Sequence, residues 1–546
     1  MPDLVLGPLL RHVGENDATV WVETDGPCEV EVLGRTARTF HVAGHHYALV
    51  CVDGLEPGSA TEYQVTRDGK PVWPLSGSEF PPSVIRTIGS DRPLELLFGS
   101  CRMARPHEPP YTALPDASQE GVGQDALRAT TLRMRELPRE AWPHAALLIG
   151  DQVYADDVSP ETLRFIRSRR DTFEPPYEEV ADFEEYTRLY RESWLEPSIR
   201  WFLSTVPTAM LFDDHDVHDD WNISQAWVER MRALPWWEDR IVGAFVSYWI
   251  YQHIGNLSPR ELAEDELWAR VQEADDASSI LREFAHQADR EANGTRWSFH
   301  RDFGRTRLLA IDCRAGRVLT HGDRALLDDD EWDWVVQAAQ GDHDHLLLAM
   351  SDPFLLAPGI HHAQSWSEAV CDGAWGKVAA GLVENLREAG DLDHWAAFRR
   401  SFERLADLLV ALGSGERGTP PASIVALSGD VHNAYLSEVG FRRGSDVRSR
   451  VYQAVCSPVR NPLKANERPA ERFGSSKVGE LIGKALSRSA GVPRPSIGWR
   501  TLEGPHFDNQ IATLQIDGRS SLLRLERVGR DCELRTVFEH RLADKT

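Results

Sequence analysis

The chain has 546 residues, 42% of them hydrophobic and 18 of them Trp, which is enough to bury a large core in more than one domain and excludes a disordered polypeptide. Its formal net charge of −25 excludes an ordinary nucleic-acid surface, because phosphate backbones attract Lys and Arg footprints and repel an acidic protein. Seven Cys without a CxxC pair do not suggest a disulfide framework, no window approaches the run of about 18 apolar residues of a membrane span, and no basic leader with an apolar run opens the chain; a cytoplasmic protein with no membrane partner is expected.

Residues 1 to about 90 read as short strands: TVWVET (19–24), CEVEVL (28–33), YALVCV (47–52) and TEYQVT (61–66) are separated by turn residues such as DGP and RDGK. This predicts an N-terminal β-sandwich domain of immunoglobulin or fibronectin type over 1–90, with a Pro-rich linker at 79–93. From 94 onward, apolar runs of about five residues alternate with amphipathic helical segments, as in strands buried on both faces of a layered α/β sheet. The runs are LELLF (94–98), AALLI (145–149), TAMLF (208–212), RLLAI (307–311), LLLAM (346–350) and SIVAL (423–427). Helices are predicted over 125–137, 182–205 with a Pro kink, 238–254 and 391–412. Segments 413–422 and 464–499 read as irregular, the second with one short helix, and the tail returns to strands.

The residues at the ends of the apolar runs point to chemistry: GSCR, GDQVYADD, DDHDVHDD, DCR, SDPF and SGDVH. Loops at the carboxyl ends of strands converge on the ligand site in open α/β folds, so Cys101, Asp151, Tyr154, Asp213, Asp214, His215, Asp312, Asp430 and His432 gather at one edge. A single Asp after a strand is ordinarily a turn or a helix cap. Its recurrence with His and Cys is not explained by capping and reads as a metal site. Two cations need a bridging carboxylate flanked by terminal ligands, and Asp151, cleared by Gly150, suits the bridge. Tyr154 and Cys101 favour iron, whereas carboxylates alone suit calcium, magnesium or manganese. Taken alone, Cys101 also reads as a small buried hydrophobe and Tyr154 as a packed ring. His215 suits an acid role, with nearby carboxylates raising its basicity, while His218 reads as a ligand, as support or as a solvent-facing residue.

FGSCR, GDQVYAD, FDDHDVHDDW and SGDVHNAY, in that order, resemble the alkaline phosphatase D (PhoD-like) family of metallophosphoesterases, as does a β-sandwich ahead of the catalytic segment. The resemblance implies a four-layer α/β/β/α catalytic domain over 91–546 that holds Fe3+ and one or more divalent cations, often Ca2+, with Mn2+, Mg2+ or Zn2+ as substitutes. It assigns Cys101, Asp151, Tyr154 and His432 to the iron side, Asp151 as the bridge, Asp214 and Asp430 to the second metal, and His215 to the catalytic histidine position. Arg102 and Arg314 become expected phosphate clamps, since guanidinium forks suit phosphate oxygens. After DDH this chain reads Asp216, Val217, His218, Asp219, Asp220, where members read more like Glu-Val-Asp/Glu-Asn-Asn, and the twin-arginine leader of secreted members is absent. The expected function is metal-dependent hydrolysis of a small-molecule phosphoric ester. The alternatives are a phosphodiesterase on the same ligands and a catalytically silent metal-binding or interaction protein; oligomeric state is not legible.

Overall fold

The structure, a computed structural model, is described for residues 4–89, 93–442 and 444–544. At the N-terminus, β1 (Leu4–Val13), β2 (Asp17–Thr24), β6 (His45–Asp53) and β5 (Phe40–Val42) form one antiparallel sheet. A second antiparallel sheet joins β4 (Arg35–Arg38), β3 (Glu29–Val32), β8 (Val65–Arg67) and β9 (Lys70–Trp73). Alternate residues point inward, so Val20, Val22 and Val50 of the first sheet meet Val30, Val32 and Trp73 of the second in one core. The predicted strand 61–66 is divided between β7 (Ala60–Glu62) and β8. Tyr63 lies at the break, where its hydroxyl donates to the Ser204 carbonyl at 2.6 Å. Within the predicted linker 79–93, Val84–Arg86 forms β10, which pairs with β7, and residues 90–92 lie outside the described residues.

Two mixed sheets make up the larger part of the chain. The first runs β13 (Thr208–Leu211), β12 (Ala145–Ile149), β11 (Leu94–Gly99), β21 (Gln510–Asp517), β22 (Ser520–Val528), β23 (Leu534–Ala543). The second runs β14 (Phe299–Phe303), β15 (Thr306–Ala310), β16 (His345–Ala349), β17 (Ser423–Ser428), β19 (Arg450–Val455), β18 (Ala434–Gly440), β20 (Gly498–His506). The period-2 pleat divides each strand between two cores. Leu147, Leu211, Leu347, Leu427 and Leu514 enter a core shared by both sheets, whereas Leu148, Met210, Leu348 and Ala426 enter the larger core beneath the helices. Helices therefore cover two stacked sheets, giving the expected α/β/β/α layering, and apolar residues on both faces explain why these strands read as continuous runs.

Several helix predictions are altered by the fold. The segment 182–205 forms helices Phe183–Trp194 and Pro197–Thr205, because Pro197 lacks the N–H that would continue the first and serves instead as the first residue of the second. The segment 391–412 becomes α-helical only at Arg399, after a 3-10 turn at Trp395–Ala397, and Asp391, Asp393 and His394 lie in the loop before that turn. The stretch 464–499 holds two helices, Arg468–Gly474 and Lys477–Ser489, where one short helix is predicted. Among the described residues, no helix is long and apolar enough to cross a membrane.

Arg11 of β1 is buried and ties the N-terminal sheet to the layers of the larger α/β part. Its guanidinium donates to the carbonyls of Thr208, Tyr251 and Gln252 at 2.7 to 3.2 Å, so the edge strand β13 is braced from outside.

Candidate functional site

The parallel strands of both sheets end on the same edge. β11 delivers Cys101, β12 delivers Asp151 and Tyr154, β13 delivers Asp213, Asp214 and His215, and β17 delivers Asp430 and His432. Two glycines allow close approaches there, Gly150 between the ends of β12 and β13 in one sheet and Gly429 between the two sheets. A Cβ on Gly150, which has φ +80°, would stand 2.4 Å from Asp213 Oδ2, and one on Gly429 would stand 2.1 Å from Ser100 Oγ. Cys101, Asp151, Asp430 and His432 all hold left-handed backbone, with φ of 56°, 46°, 64° and 47°. L-residues adopt that region at a cost, and a concentration of it in one place is typical of functional sites, where surrounding structure holds the side chains in a set direction.

Ligand atoms of Cys101, Asp151 and His432 lie within 4.8 Å of one another, as do those of Asp151, Asp214 and His215, and those of Asp213, Asp214 and Asp430. Asp151 is shared by the first two groups and Asp214 by the last two. The Tyr154 hydroxyl donates to Asp151 Oδ2 at 3.2 Å and receives the Asn461 amide at 3.3 Å. Six predicted ligands are thus gathered in one constellation. Asp151 Oδ1, Asp213 Oδ2 and Asp214 Oδ1 are buried with no hydrogen-bond partner, and a buried carboxylate oxygen without a donor is unstable unless a proton or a cation meets it. Burial, reinforced by Asp214 and Asp430 and opposed by His215, pushes the Asp151 carboxyl to about 7. Burial also pushes Asp213 well above the usual carboxylate range, though Arg314 pulls against it. Burial, with His215 beside it, lowers His432 to about 4 and keeps it a neutral donor. The donor set of sulfur, imidazole nitrogen, phenol and carboxylates fits metal ions.

His215 is oriented by a residue that sequence reasoning does not single out. Asp156 places its two oxygens 3.0 and 2.9 Å from His215 Nδ1, and the Tyr154 ring stacks at 4.6 Å with a 36° tilt. Burial opposes charge on the imidazole, but Asp156, Asp151 and Asp214 outweigh it and hold its pKa well above 6.5. A second such residue is His394, whose Nε2 lies 2.7 Å from Asp430 Oδ2 and whose Nδ1 meets the Gln364 amide at 2.8 Å. Despite burial, Asp430 and Asp393 raise His394 to about 9. Its position inside a predicted helix hides it; the acidic DLDH run is the one local signal that points to it.

The structure gives both arginines carboxylate partners. Arg102 is buried away from the cleft, with Nε and Nη2 on Asp125 at 2.9 and 2.8 Å and Nη1 on Ser193. It supports the helix that Asp125 caps, leaving no fork for phosphate. Arg314 does border the cleft, but its nitrogens meet Asp213 at 2.7 Å, Asp393 at 2.7 Å, Asp352 at 3.0 Å and Asp430 at 3.3 Å. Its geometry is that of a counter-charge beneath the carboxylates. Asp312 accepts the backbone N–H groups of Arg314 and Ala315 as a turn residue. His218 bonds the Asp219 carbonyl and packs against Trp227 and Trp237, outside the ligand groups. The constellation floors a cleft of about 870 Å3.

Residues 130–286 match the family described as PhoD-like phosphatase, and residues 1–85 match a domain of unknown function, DUF7800. The PhoD-like segment carries Asp151, Tyr154, Asp214 and His215; Cys101, Asp430 and His432 lie outside it. No curated protein matches the chain. Among solved structures, the fold is similar to that of PhoD, with a TM-score of 0.58 at 11% identity over 99% of this chain and 91% of that one. It is also similar to purple acid phosphatase PPD1 from seeds of yellow lupin (Lupinus luteus), with a TM-score of 0.50 at 11% identity over 98% and 74%. At such identities the likeness is one of fold.

Proposed function

We propose that this chain, which carries a PhoD-like phosphatase segment over residues 130–286, is a metal-dependent hydrolase of phosphoric esters. The observation that carries the reading is the set of buried, donorless carboxylate oxygens on Asp151, Asp213 and Asp214, converging on Cys101, Asp430 and His432. Cys101, Asp151, Tyr154 and His432 suit a ferric ion, since thiolate and phenolate are its preferred partners, and Asp214 and Asp430, with Asp151 shared, suit a calcium-like cation. Bound cations supply Lewis acidity to phosphate oxygens and lower the pKa of a water.

The chain's own residues do the rest. Asp156 accepts the hydrogen bond of His215 Nδ1–H and fixes the ring, leaving Nε2 toward the cleft. A protonated imidazole there delivers its proton to the departing ester oxygen. Arg314 lowers the mutual repulsion of the carboxylates beneath. The cleft of about 870 Å3 has room for organic groups on both sides of a phosphorus, which favours diesters.

The test compares hydrolysis of a monoester and a bis-ester of one chromogenic alcohol, before chelation, after it and after add-back of iron and calcium. Loss on chelation with recovery on add-back is expected, with the bis-ester preferred. An unaffected rate after chelation, or no hydrolysis by protein shown to contain metal, sinks the reading.

A further inference from the structure

The helix Lys477–Ser489 turns its large residues the wrong way for an ordinary surface helix. Its buried positions are Gly479, Gly483 and Ser487, one turn apart. They bring its backbone against the helix Pro358–Cys371, where a Cβ on Gly483 would stand 2.6 Å from the Gly359 carbonyl oxygen. The outward face instead carries Val478, Leu481 and Ile482, which are 58%, 68% and 49% exposed, with Phe473 at 51% just ahead. The helix Lys377–Ala389 behaves alike: Val378, Leu382 and Leu386, also one turn apart, are 83%, 68% and 49% exposed. The half-exposed Trp375 joins the two, its indole N–H donating to the Ser489 carbonyl at 3.2 Å. Amphipathic helices bury such stripes, so an outward pair of them marks an interaction surface.

Charge selects the occupant. The chain carries −25 and only six Lys, three of which, Lys377, Lys477 and Lys484, lie on these helices. Between Lys464 and Arg494 there are seven basic residues and three acidic ones. Lys484, Arg488 and Arg494, with Glu480 and His362, line a recess of about 390 Å3 at the foot of the helix. A second copy placed on this face by twofold symmetry would set the same cations against each other. An anionic bilayer offers hydrocarbon to the stripes and phosphates to the cations.

We propose that this face docks the protein on an anionic membrane surface, Val378, Leu382, Val478, Leu481 and Ile482 entering the headgroup boundary and Lys477, Lys484, Arg488 and Arg494 meeting lipid phosphates. The expectation of no membrane partner rests on the lack of a spanning run, which bears on crossing a bilayer and not on lying against one. The face adjoins the cleft, since Ala389 and Gly390 at the end of one helix and Ser475 before the other line it.

Co-sedimentation of the full chain with vesicles tests the proposal, using phosphatidylglycerol mixed with phosphatidylcholine against phosphatidylcholine alone. Binding to the anionic vesicles only, weakening with salt, is expected. Two variants on exposed positions separate the contributions: Val478→Ser with Leu481→Ser and Ile482→Ser should abolish binding, and Lys477→Gln with Arg488→Gln should weaken it by about tenfold or more. Circular dichroism and unchanged hydrolysis of a small ester confirm that each variant folds. No binding to anionic vesicles, equal binding to neutral ones, or full binding by either variant overturns the proposal. So does a concentration-dependent dimer that the triple variant dissolves, which would give the face to a second copy.

Discussion

Asp156 grips His215, with both carboxylate oxygens within 3.0 Å of Nδ1, and also accepts the Asp219 backbone N–H at 2.7 Å. The carboxylate therefore fixes the tautomer and the angle of the ring together. Burial opposes its charge, but the imidazole beside it holds Asp156 far below the usual carboxylate range. Asp156→Asn should lower kcat by about 100-fold or more, as losing the partner of a catalytic imidazole does, while metal content stays the same. An activity within twofold of wild type would remove His215 from the reaction or Asp156 from its support.

Asp151 is common to two ligand groups, so one substitution should empty both. Asp151→Asn is expected to carry markedly less iron and calcium by elemental analysis. Because a ligand that binds only the folded state stabilises it, wild-type protein should lose thermal stability on chelation and the variant should not respond.

Gly150 lets the ends of the neighbouring strands β12 and β13 come together within one sheet. Gly150→Ala combines a left-handed φ of +80° with a methyl at 2.4 Å from Asp213 Oδ2. A loss of about 2 kcal/mol or more in urea unfolding is expected, with reduced metal content. Gly34, also at positive φ but with nothing near its Cβ position, is the control: alanine there should cost less.

Arg102 pairs with a fully buried carboxylate, and breaking such a pair leaves an uncompensated charge. Arg102→Met should cost about 3 kcal/mol in stability and leave KM for a phosphoester unchanged. A raised KM with full stability would return Arg102 to the role of a clamp.

His253 gives a pH dependence away from the ligands. Burial lowers it to about 3, with Arg296 and Arg11 adding to the effect, and its ring packs on the Trp297 edge at 4.8 Å. The unfolded residue titrates near 6.5. Its contribution is therefore complete above about pH 6.5 and declines as pH falls toward 3, because the unfolded chain takes up a proton that the folded one refuses. His253→Phe should flatten the stability profile between pH 6 and 4 by about 1.4 kcal/mol per pH unit. Parallel profiles for variant and wild type would show that the folded His253 accepts its proton.

The site is legible in the sequence to the extent that it sits on strand ends. Apolar runs buried on both faces leave a period that a reader can see, and residues just after them, Cys101, Asp151, Asp214 and Asp430, are brought together because parallel strands end on one edge. Asp156 and His394 escape that logic. Asp156 is one of three Asp within YADD and its neighbours, and nothing local tells which one faces His215. His394 lies in a stretch with helical periodicity whose first turns are withheld from the helix, so the pattern conceals the loop.

The sequence by itself determined the strand periodicity, the layered class and the residue types set at the strand ends, since these depend on residue identity within a few positions along the chain. Only the tertiary structure decided what each charge is for. Arg102 and Arg314 are indistinguishable as guanidiniums beside strand ends, yet one is held by Asp125 and the other by a ring of carboxylates, because electrostatic roles depend on neighbours 23 to 116 residues away. The same holds for the 477–489 helix, whose composition shows apolar and basic residues but not that glycines take the inner face and leave the stripe outside.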